Sequence, residues 1–488
     1  MSSPSPIRAL RLAAGLALPA LVWGCAVGPD FHRPAPPTAT SYTRAAVPAD
    51  LGGGGGGQTL VAGADVPGQW WTLFHSPALN RLIELALKNN ADLQSAKAAL
   101  RSARETYYAQ QGAFYPTVDA GYSIQRQQAT NTLAPPLASN MNLFTLHTAQ
   151  VTVGYTPDLF GGIRRQTETV AAQAEAQRFE TEAAYLTLTS NLAAAAIQEA
   201  SLRNQIAATE RIIALNRDVL VLLQRQKAAG QISGADVAAQ DAAVAQAEQG
   251  LPPLQKQLAQ QVDMIAALTG RLPSESSDDG VDLAALTLPP DVPLSLPSKL
   301  VEQRPDIRVA EANLHAASAQ VGVAIANRLP SFTVSGSAGG AATELASLFS
   351  GGAGFWSVTG AVSQPIFQGG ALLHRQRAAA AAFDQAKAQY RSTVIGAFQN
   401  VADALQALQA DALALKAADR AEQSAAASLT IVRKQLELGG VSNVAVLNAE
   451  QTYRLALISQ AQAQSNRYAD TVALIQALGG GWWNRNDT

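Results

Sequence analysis

The sequence states one long pattern twice, about 210 residues apart. An Ala-rich amphipathic stretch begins near Asp92 and ends at Pro116, and a second begins near Asp306 and ends at Pro330. Each is followed by two short alternating segments, a glycine pair and a long Ala- and Gln-rich tract. A period of about 210 residues is far longer than that of any solenoid repeat. The chain is therefore predicted to be a duplication of one large unit: a helix, two strands and a long helical hairpin.

The alternating segments predict four amphipathic strands, each with one apolar face and one hydroxyl-rich face. They lie at about 117–126, 146–157, 331–339 and 355–365. Each has about the 9 to 11 residues that a tilted strand needs to cross a bilayer. A soluble four-stranded sheet packed on helices has the same pattern. Four strands cannot close a barrel, and an open sheet edge is not viable in lipid, so a membrane sheet requires several protomers to pool their strands.

The long tracts predict unusually long helices, because neither 162–228 nor 370–438 contains a proline. A helix of about 70 residues is about 100 Å long. The two hairpins are predicted at about 162–269 and 370–478, and a kink or restart is expected at Pro252 and Pro253 in the returning arm of the first.

Glycines and serines mark the predicted turns of the two hairpins. Gly230, Gly439 and Gly440 are predicted to end the first arms in the left-handed conformation. Ser233 and Ser442 are predicted to cap the returning helices rather than to act directly in a gate.

The N-terminus has the pattern of a targeting segment. Residues 1–24 combine two arginines with an apolar run that is too short to cross a bilayer. The run ends at Cys25, the single cysteine, which resembles the lipid-accepting cysteine of a bacterial lipobox; the alternative is a spare thiol behind an ordinary signal peptide. Ala26 after it resembles the signal for sorting to the outer membrane. Residues 25–68 are predicted to be a flexible, lipid-anchored linker, and the glycine run 52–57 a tether rather than a phosphate loop.

Composition excludes several classes of function. A net charge of −2 offers no basic field for nucleic acid. The five histidines are scattered and form no ligand-spaced cluster, so no metal or cofactor is predicted. A carboxylate pair at Asp278 and Asp279 is the strongest enzymatic alternative, but nothing near it supplies a nucleophile or cofactor loop. No enzyme activity is predicted.

These motifs together resemble the outer-membrane efflux proteins, the TolC- and OprM-like channels, and among them the NodT-type lipoproteins. The resemblance covers nearly the whole chain after residue 24. The residues that carry it are Cys25 to Phe31 with Arg33 and Pro34, Trp70 to Phe74 with Pro77 and Leu79, Arg304 to Ile307 with Ala310 and Glu311, Gln364 to Gly370, and Ala477 to Trp482.

The resemblance implies a homotrimer whose strands form one twelve-stranded β-barrel in the outer membrane, continued by an α-helical barrel in the periplasm. The first repeat would span 69–270 and the second 301–478. Residues 271–300 would join the tail, 479–488, in a belt around the helical barrel. It implies a lipid on Cys25, and passive exit of substrates delivered by a periplasmic adaptor and an inner-membrane pump, of the RND type. The alternatives are a periplasmic coiled-coil spacer or adaptor lipoprotein without a pore, and an exit duct for type I protein secretion.

The resemblance also implies a gate and an adaptor-docking site at the periplasmic tips of the hairpins. Ala445 and Asn448 stand where many relatives carry aspartate, so rings of carboxylates are absent there. Asp236 remains in the first hairpin. A weaker cation preference than that of an aspartate-ringed pore is therefore expected.

Overall fold

The computed structural model describes residues 26–45, 47–52, 57–128, 143–275 and 280–485. The signal peptide, Cys25, Asp278 and Asp279 lie outside them, as do residues 53–56 of the glycine run. The chain divides into two compact units: residues 1–33, 101–176 and 311–389 in the first, and 34–100, 177–310 and 390–488 in the second.

The same five elements occur twice in the same order, which confirms the duplicated unit. The first copy consists of α2 (Ala91–Gln111), β2 (Thr117–Gln128), β3 (Leu143–Tyr155), α3 (Gly162–Ala228) and α4 (Gly234–Leu268), after α1 (Pro77–Asn89). The second consists of α6 (Pro305–Ala326), β5 (Ser331–Ala342), β6 (Gly354–Ser363), α7 (Ala371–Glu437) and α8 (Asn443–Ala477), after α5 (Pro297–Gln303). The helices of the two hairpins match in length, 67 residues for α3 and α7 and 35 for α4 and α8.

Two short strands and six 3-10 helices complete the described elements. The strands are β1 (Thr59–Ala62) and β4 (Asp291–Leu294). The 3-10 helices are Trp70–Phe74, Gly112–Phe114, Pro273–Glu275, Leu283–Ala285, Leu345–Ser347 and Trp482–Asn484. Within the described ranges, no helix combines the length and the apolarity that a bilayer crossing needs.

Long helices form here because the tracts are rich in strong helix formers, and tertiary contact selects one face of each. In the part of α7 that belongs to the second unit, the buried side chains recur every three or four residues. Between 390 and 415 they are Tyr390, Val394, Ala397, Val401, Ala404, Leu405, Leu408, Ala412 and Leu415. Alanine at several of these positions permits close approach of neighbouring helices.

The helix α4 runs without a break through Pro252 and Pro253. The expected restart at this pair is therefore wrong. An interior proline removes one backbone hydrogen bond and its ring crowds the preceding turn, but neither effect ends the helix here. The kink at this pair stays a prediction.

The first unit contains one antiparallel sheet in the order β2-β3-β5-β6. The apolar residues of neighbouring strands lie opposite one another, for example Ala120 opposite Val151 and Val334 opposite Gly360. Strands β2 and β6 each pair with one neighbour, so the sheet has two free edges. The apolar face is exposed in the single chain, with 77% of Trp356 and 67% of Val118 accessible.

The second unit contains the main apolar core, which includes segments that the sequence assigned to linkers. Strand β1 pairs in parallel with β4, and Leu60 and Val292 are buried at that pair. The tail closes on the same region, where the Trp482 indole donates to the Gln303 carbonyl at 2.6 Å. The expectation of a flexible tether over 25–68 is therefore wrong for 57–68, and it is also wrong for 27–30, which bond to Phe160 and Arg165. The strand partner of 59–62 lies more than 200 residues away in the sequence, which a local pattern does not reveal.

Candidate functional site at the hairpin tips

The two hairpins turn through the same backbone motif. After α3, the Gly230 amide donates to Lys227 O and the next amide to Gln226 O; after α7, the Gly439 amide donates to Leu436 O and the next to Gln435 O. This pair of bonds satisfies the last carbonyls of a helix and requires one left-handed residue. Gly230 and Gly439 are left-handed, with φ of 75° and 73°. Gly440 is not, because the motif needs only one such residue, and that prediction is wrong.

The returning helices begin with serine caps, as predicted, but the two caps differ. Ser233 accepts from the Asp236 amide, while the Asp236 carboxylate accepts from the Ser233 amide at 3.0 Å and from its hydroxyl at 2.7 Å. These hydrogen bonds hold the pKa of Asp236 below its usual value. Ser442 accepts from the Ala445 amide alone. The reciprocal bond is absent from the second tip because position 445 has no carboxylate.

The positions expected to form the gate lie in the first two turns of α8. Ala445 is half-buried and Asn448 is exposed. The Asn448 carbonyl accepts from the Thr452 hydroxyl at 3.0 Å, which is an ordinary intrahelical contact. A direct role of these two residues in gating stays a prediction.

The structure brings together an ionic cluster near the second tip that the sequence did not single out. The buried carboxylate of Glu450 lies 3.4 Å from Arg211, 3.4 Å from Arg433 and 3.7 Å from Arg454. Its side chain is 8% exposed, and the arginine side chains are 31 to 55% exposed. The four residues come from α3, α7 and α8, so one carboxylate joins both hairpins. Of these pairs, only Glu450 with Arg454 has a spacing visible in the sequence.

A second group of charges, with a buried arginine and two half-buried aspartates, lies between α7 and α8. The Arg467 guanidinium is fully buried and donates to Leu408 O at 3.3 Å and to Gly52 O at 3.2 Å. Burial and the neighbouring Asp470 carboxyl raise the pKa of Asp411 to about 7. Next to this group, Asp470 also contributes to the wall of a cavity of about 430 Å³ between the two helices.

The segment that follows Cys25 packs at a defined place in the first unit. The Val27 amide donates to Phe160 O at 3.1 Å, and the Arg165 guanidinium donates to Val27 O at 3.1 Å and to the Asp30 carboxylate at 2.6 Å. The guanidinium lowers the pKa of Asp30. Phe31 stacks on the His315 ring with 4.3 Å between centroids. The backbone at Ala26 is therefore fixed against the junction of β3 and α3.

Gly161 allows that close approach. Its φ is 77°, and a Cβ on it would lie 2.6 Å from Ala26 Cα. The matching glycine in the second copy, Gly369, has φ of 56° and nothing within 4 Å. The first of the two glycine pairs thus serves a contact that the second does not make. Across the described part of the chain, no group of three His, Cys, Asp or Glu side chains is placed to hold a metal ion.

Comparisons with known proteins agree with this architecture. A family model described as outer membrane efflux protein matches residues 82–271 and 296–480. The chain is 28% identical to the outer membrane protein OprJ of Pseudomonas aeruginosa over 94% of this chain and 93% of the relative. It is also 28% identical to the pyoverdine export outer membrane protein OpmQ of Pseudomonas putida, over 85% of this chain and 88% of that one. The solved outer-membrane channel OprN superposes with a TM-score of 0.81, at 28% identity, covering 94% of this chain and all of OprN.

Proposed function

The chain belongs to the outer membrane efflux protein family, and from that premise we propose that it is the exit duct of a tripartite efflux system. It conducts substrates passively from an inner-membrane pump and a periplasmic adaptor to the outside. One observation carries this function: an amphipathic sheet with two free edges continues into helices of 67 residues, about 100 Å each. Such a chain supplies a membrane segment and a periplasmic conduit, and it needs no catalytic group.

The working assembly is a homotrimer. A sheet with two unpaired edges is not viable alone in lipid, because its edge N–H and C=O groups find no hydrogen-bond partner there. Three copies close these edges into one barrel of twelve strands, with the apolar residues towards lipid and the hydroxyl-rich residues towards the lumen. A poreless coiled-coil spacer has no use for such a sheet.

A lipid on Cys25 holds the N-terminus in the inner leaflet of the outer membrane. Ala26 lies against Gly161, where β3 ends and α3 begins. Cys25 directly precedes Ala26 in the sequence. The lipid thus enters the membrane beside the lower rim of the sheet. Replacement Cys25→Ser removes the mass of the lipid and leaves the duct intact.

The hairpin tips form the gate and the docking surface for the adaptor. They combine tight glycine turns, two unequal caps and the ionic cluster at Glu450. The partner pump is of the RND type in this proposal, and the relatives include outer membrane proteins of an antibiotic efflux pump and a solvent efflux pump.

Deletion of the gene, complemented by the wild-type chain or by Cys25→Ser, tests the function. The deletion strain accumulates dyes and hydrophobic antibiotics, both complemented strains extrude them, and the purified chain produces conductance steps in planar bilayers. Unchanged accumulation in the deletion strain together with no conductance contradicts the proposal. Loss of a secreted protein with normal drug extrusion favours a secretion duct instead.

A further inference from the structure

The duplication gives the sheet two equivalent strand junctions. One, between β3 and β5, lies inside the chain, and the other is left uncovered at the free edges formed by β6 and β2. Inside the chain, the end of β3 meets the beginning of β5 and encloses a cavity of about 350 Å³. Leu159 and Leu329 are half-buried on its two sides. At the free edges, Phe367 follows β6 and Tyr115 precedes β2, and these side chains are 87% and 71% exposed. Both sides of the uncovered junction are therefore present on every copy, at opposite edges of the sheet.

We propose that β6 of one copy pairs with β2 of the next in the register of the internal β3–β5 junction, with Val362 opposite Tyr122. This inference rests on the homotrimer proposed above and adds which residues meet. The occupant of each free edge is a second copy of this chain.

The internal pairings fix the register step by step. Strands β2 and β5 both have 12 residues, so Val118 corresponds to Phe332 and Tyr122 to Gly336. Val118 pairs with Val153 in the first hairpin, and Phe332 pairs with Val362 in the second.

Val153 of the first hairpin therefore corresponds to Val362 of the second. Inside the chain, Val153 pairs with Gly336. Replacing each partner by its equivalent puts Val362 opposite Tyr122 of the next copy. The same steps put Thr359 opposite Gln125.

The direction of the side chains supports this register independently. Residues directly opposite each other in an antiparallel pair point to the same face. Val362 and Tyr122 belong to the apolar faces of their strands, and both are more than half exposed. Aligning the two copies on Pro157 and Pro365 instead shifts the pairing by one residue. That shift would set apolar residues opposite polar ones, since a slip of one residue exchanges the faces.

Paired cysteines test the register. Val362→Cys is combined with Tyr122→Cys, which is in register, or with Ala120→Cys or Ile124→Cys, which are slipped by two residues on the same face. Opposite residues have Cβ atoms about 4.5 to 5.5 Å apart and diagonal ones about 7 to 8 Å. A disulfide needs about 3.5 to 4.5 Å. A second set combines Thr359→Cys with Gln125→Cys, which is in register, or with Ser123→Cys or Gln127→Cys, which are slipped. Thr359 lies three residues from Val362, so the two sets sample both the hydrogen-bonded and the non-hydrogen-bonded type of antiparallel pair.

Full-length variants are oxidised in outer membranes and analysed on denaturing gels after boiling, with each single-cysteine variant as the control for Cys25. The in-register pairs are expected to give covalent dimers and trimers at least tenfold more than the slipped pairs. A slipped pair that crosslinks best, or a native trimer in which no pair crosslinks, overturns the register while the trimer stands. A monomer by native mass without any substitution overturns the homotrimer itself.

Discussion

Neutralising Glu450 is expected to loosen the second hairpin tip. In Glu450→Gln, three guanidinium groups that lie within 3.7 Å of one carboxylate lose their common counter-charge. The carboxylate is buried, but each arginine is about one-third to one-half exposed, so each pair is worth about 0.5 to 1 kcal/mol rather than the value of a fully buried pair. Three pairs sum to about 2 kcal/mol, which raises the equilibrium constant for local opening about 30-fold.

Hydrogen exchange on the detergent-solubilised protein measures this change. Amides of residues 443–455 are expected to exchange about 30-fold faster in Glu450→Gln than in wild type, in the regime where exchange follows the opening equilibrium. The effect is expected to shrink in wild type as salt rises, because the arginines are open to solvent.

A matched control comes from the same tip. Glu437→Gln removes an exposed carboxylate from the last turn of α7 and is expected to leave exchange unchanged. Equal exchange in Glu450→Gln and wild type would refute the assignment of the cluster as a clamp. Equal acceleration in both variants would show that any loss of negative charge at the tip suffices.

Four further outcomes follow from the geometry. The pKa of Asp411 in the folded chain is raised to about 7, so this group favours the fold at low pH and that contribution is lost as pH rises from about 4 to 7. In urea unfolding, the stability of Asp411→Asn relative to wild type should therefore increase by about 1 to 2 kcal/mol between pH 5 and pH 8, after discounting for partial exposure. A stability difference that is the same at both pH values contradicts this. Ser233→Ala should cost about 1 kcal/mol, seen as faster exchange in the first turn of α4 and no change in α8. Gly161→Ala should expose residues 26–33 to protease, whereas Gly369→Ala, whose new Cβ meets no neighbour, should not. Equal cleavage of the two variants contradicts the packing of Ala26 against Gly161. Asn448→Asp should raise the cation preference of the pore in bilayer reversal potentials under a KCl gradient, and strong wild-type selectivity that only other acids control contradicts the gate prediction.

Local rules account for what the sequence predicted well. A change of hydrophobic period separates strands from helices, absence of proline permits 67-residue helices, and glycine followed by serine marks each tip. These signals act over a few residues, so they are visible without knowing any distant contact. The same rules overstated Gly440, where the turn needs only one left-handed residue, and the restart at Pro252, which the helix passes without a break.

Long-range contacts account for what the sequence did not predict. The pairing of β1 with β4 joins segments more than 200 residues apart, and the cluster at Glu450 joins Arg211 to the other hairpin. Neither of these pairings has a local sequence signature, because burial and charge pairing depend on which segments the fold brings together.

The sequence by itself determined that one unit is built twice, with its elements, caps and turns. Only the tertiary structure decided what each copy meets: one β–helix junction is covered inside the chain and its twin is exposed, and the second tip adjoins a buried carboxylate that pairs with arginines of both hairpins. The physical reason is that hydrogen bonding and period are set by neighbours in sequence, whereas burial and ion pairing are set by neighbours in space.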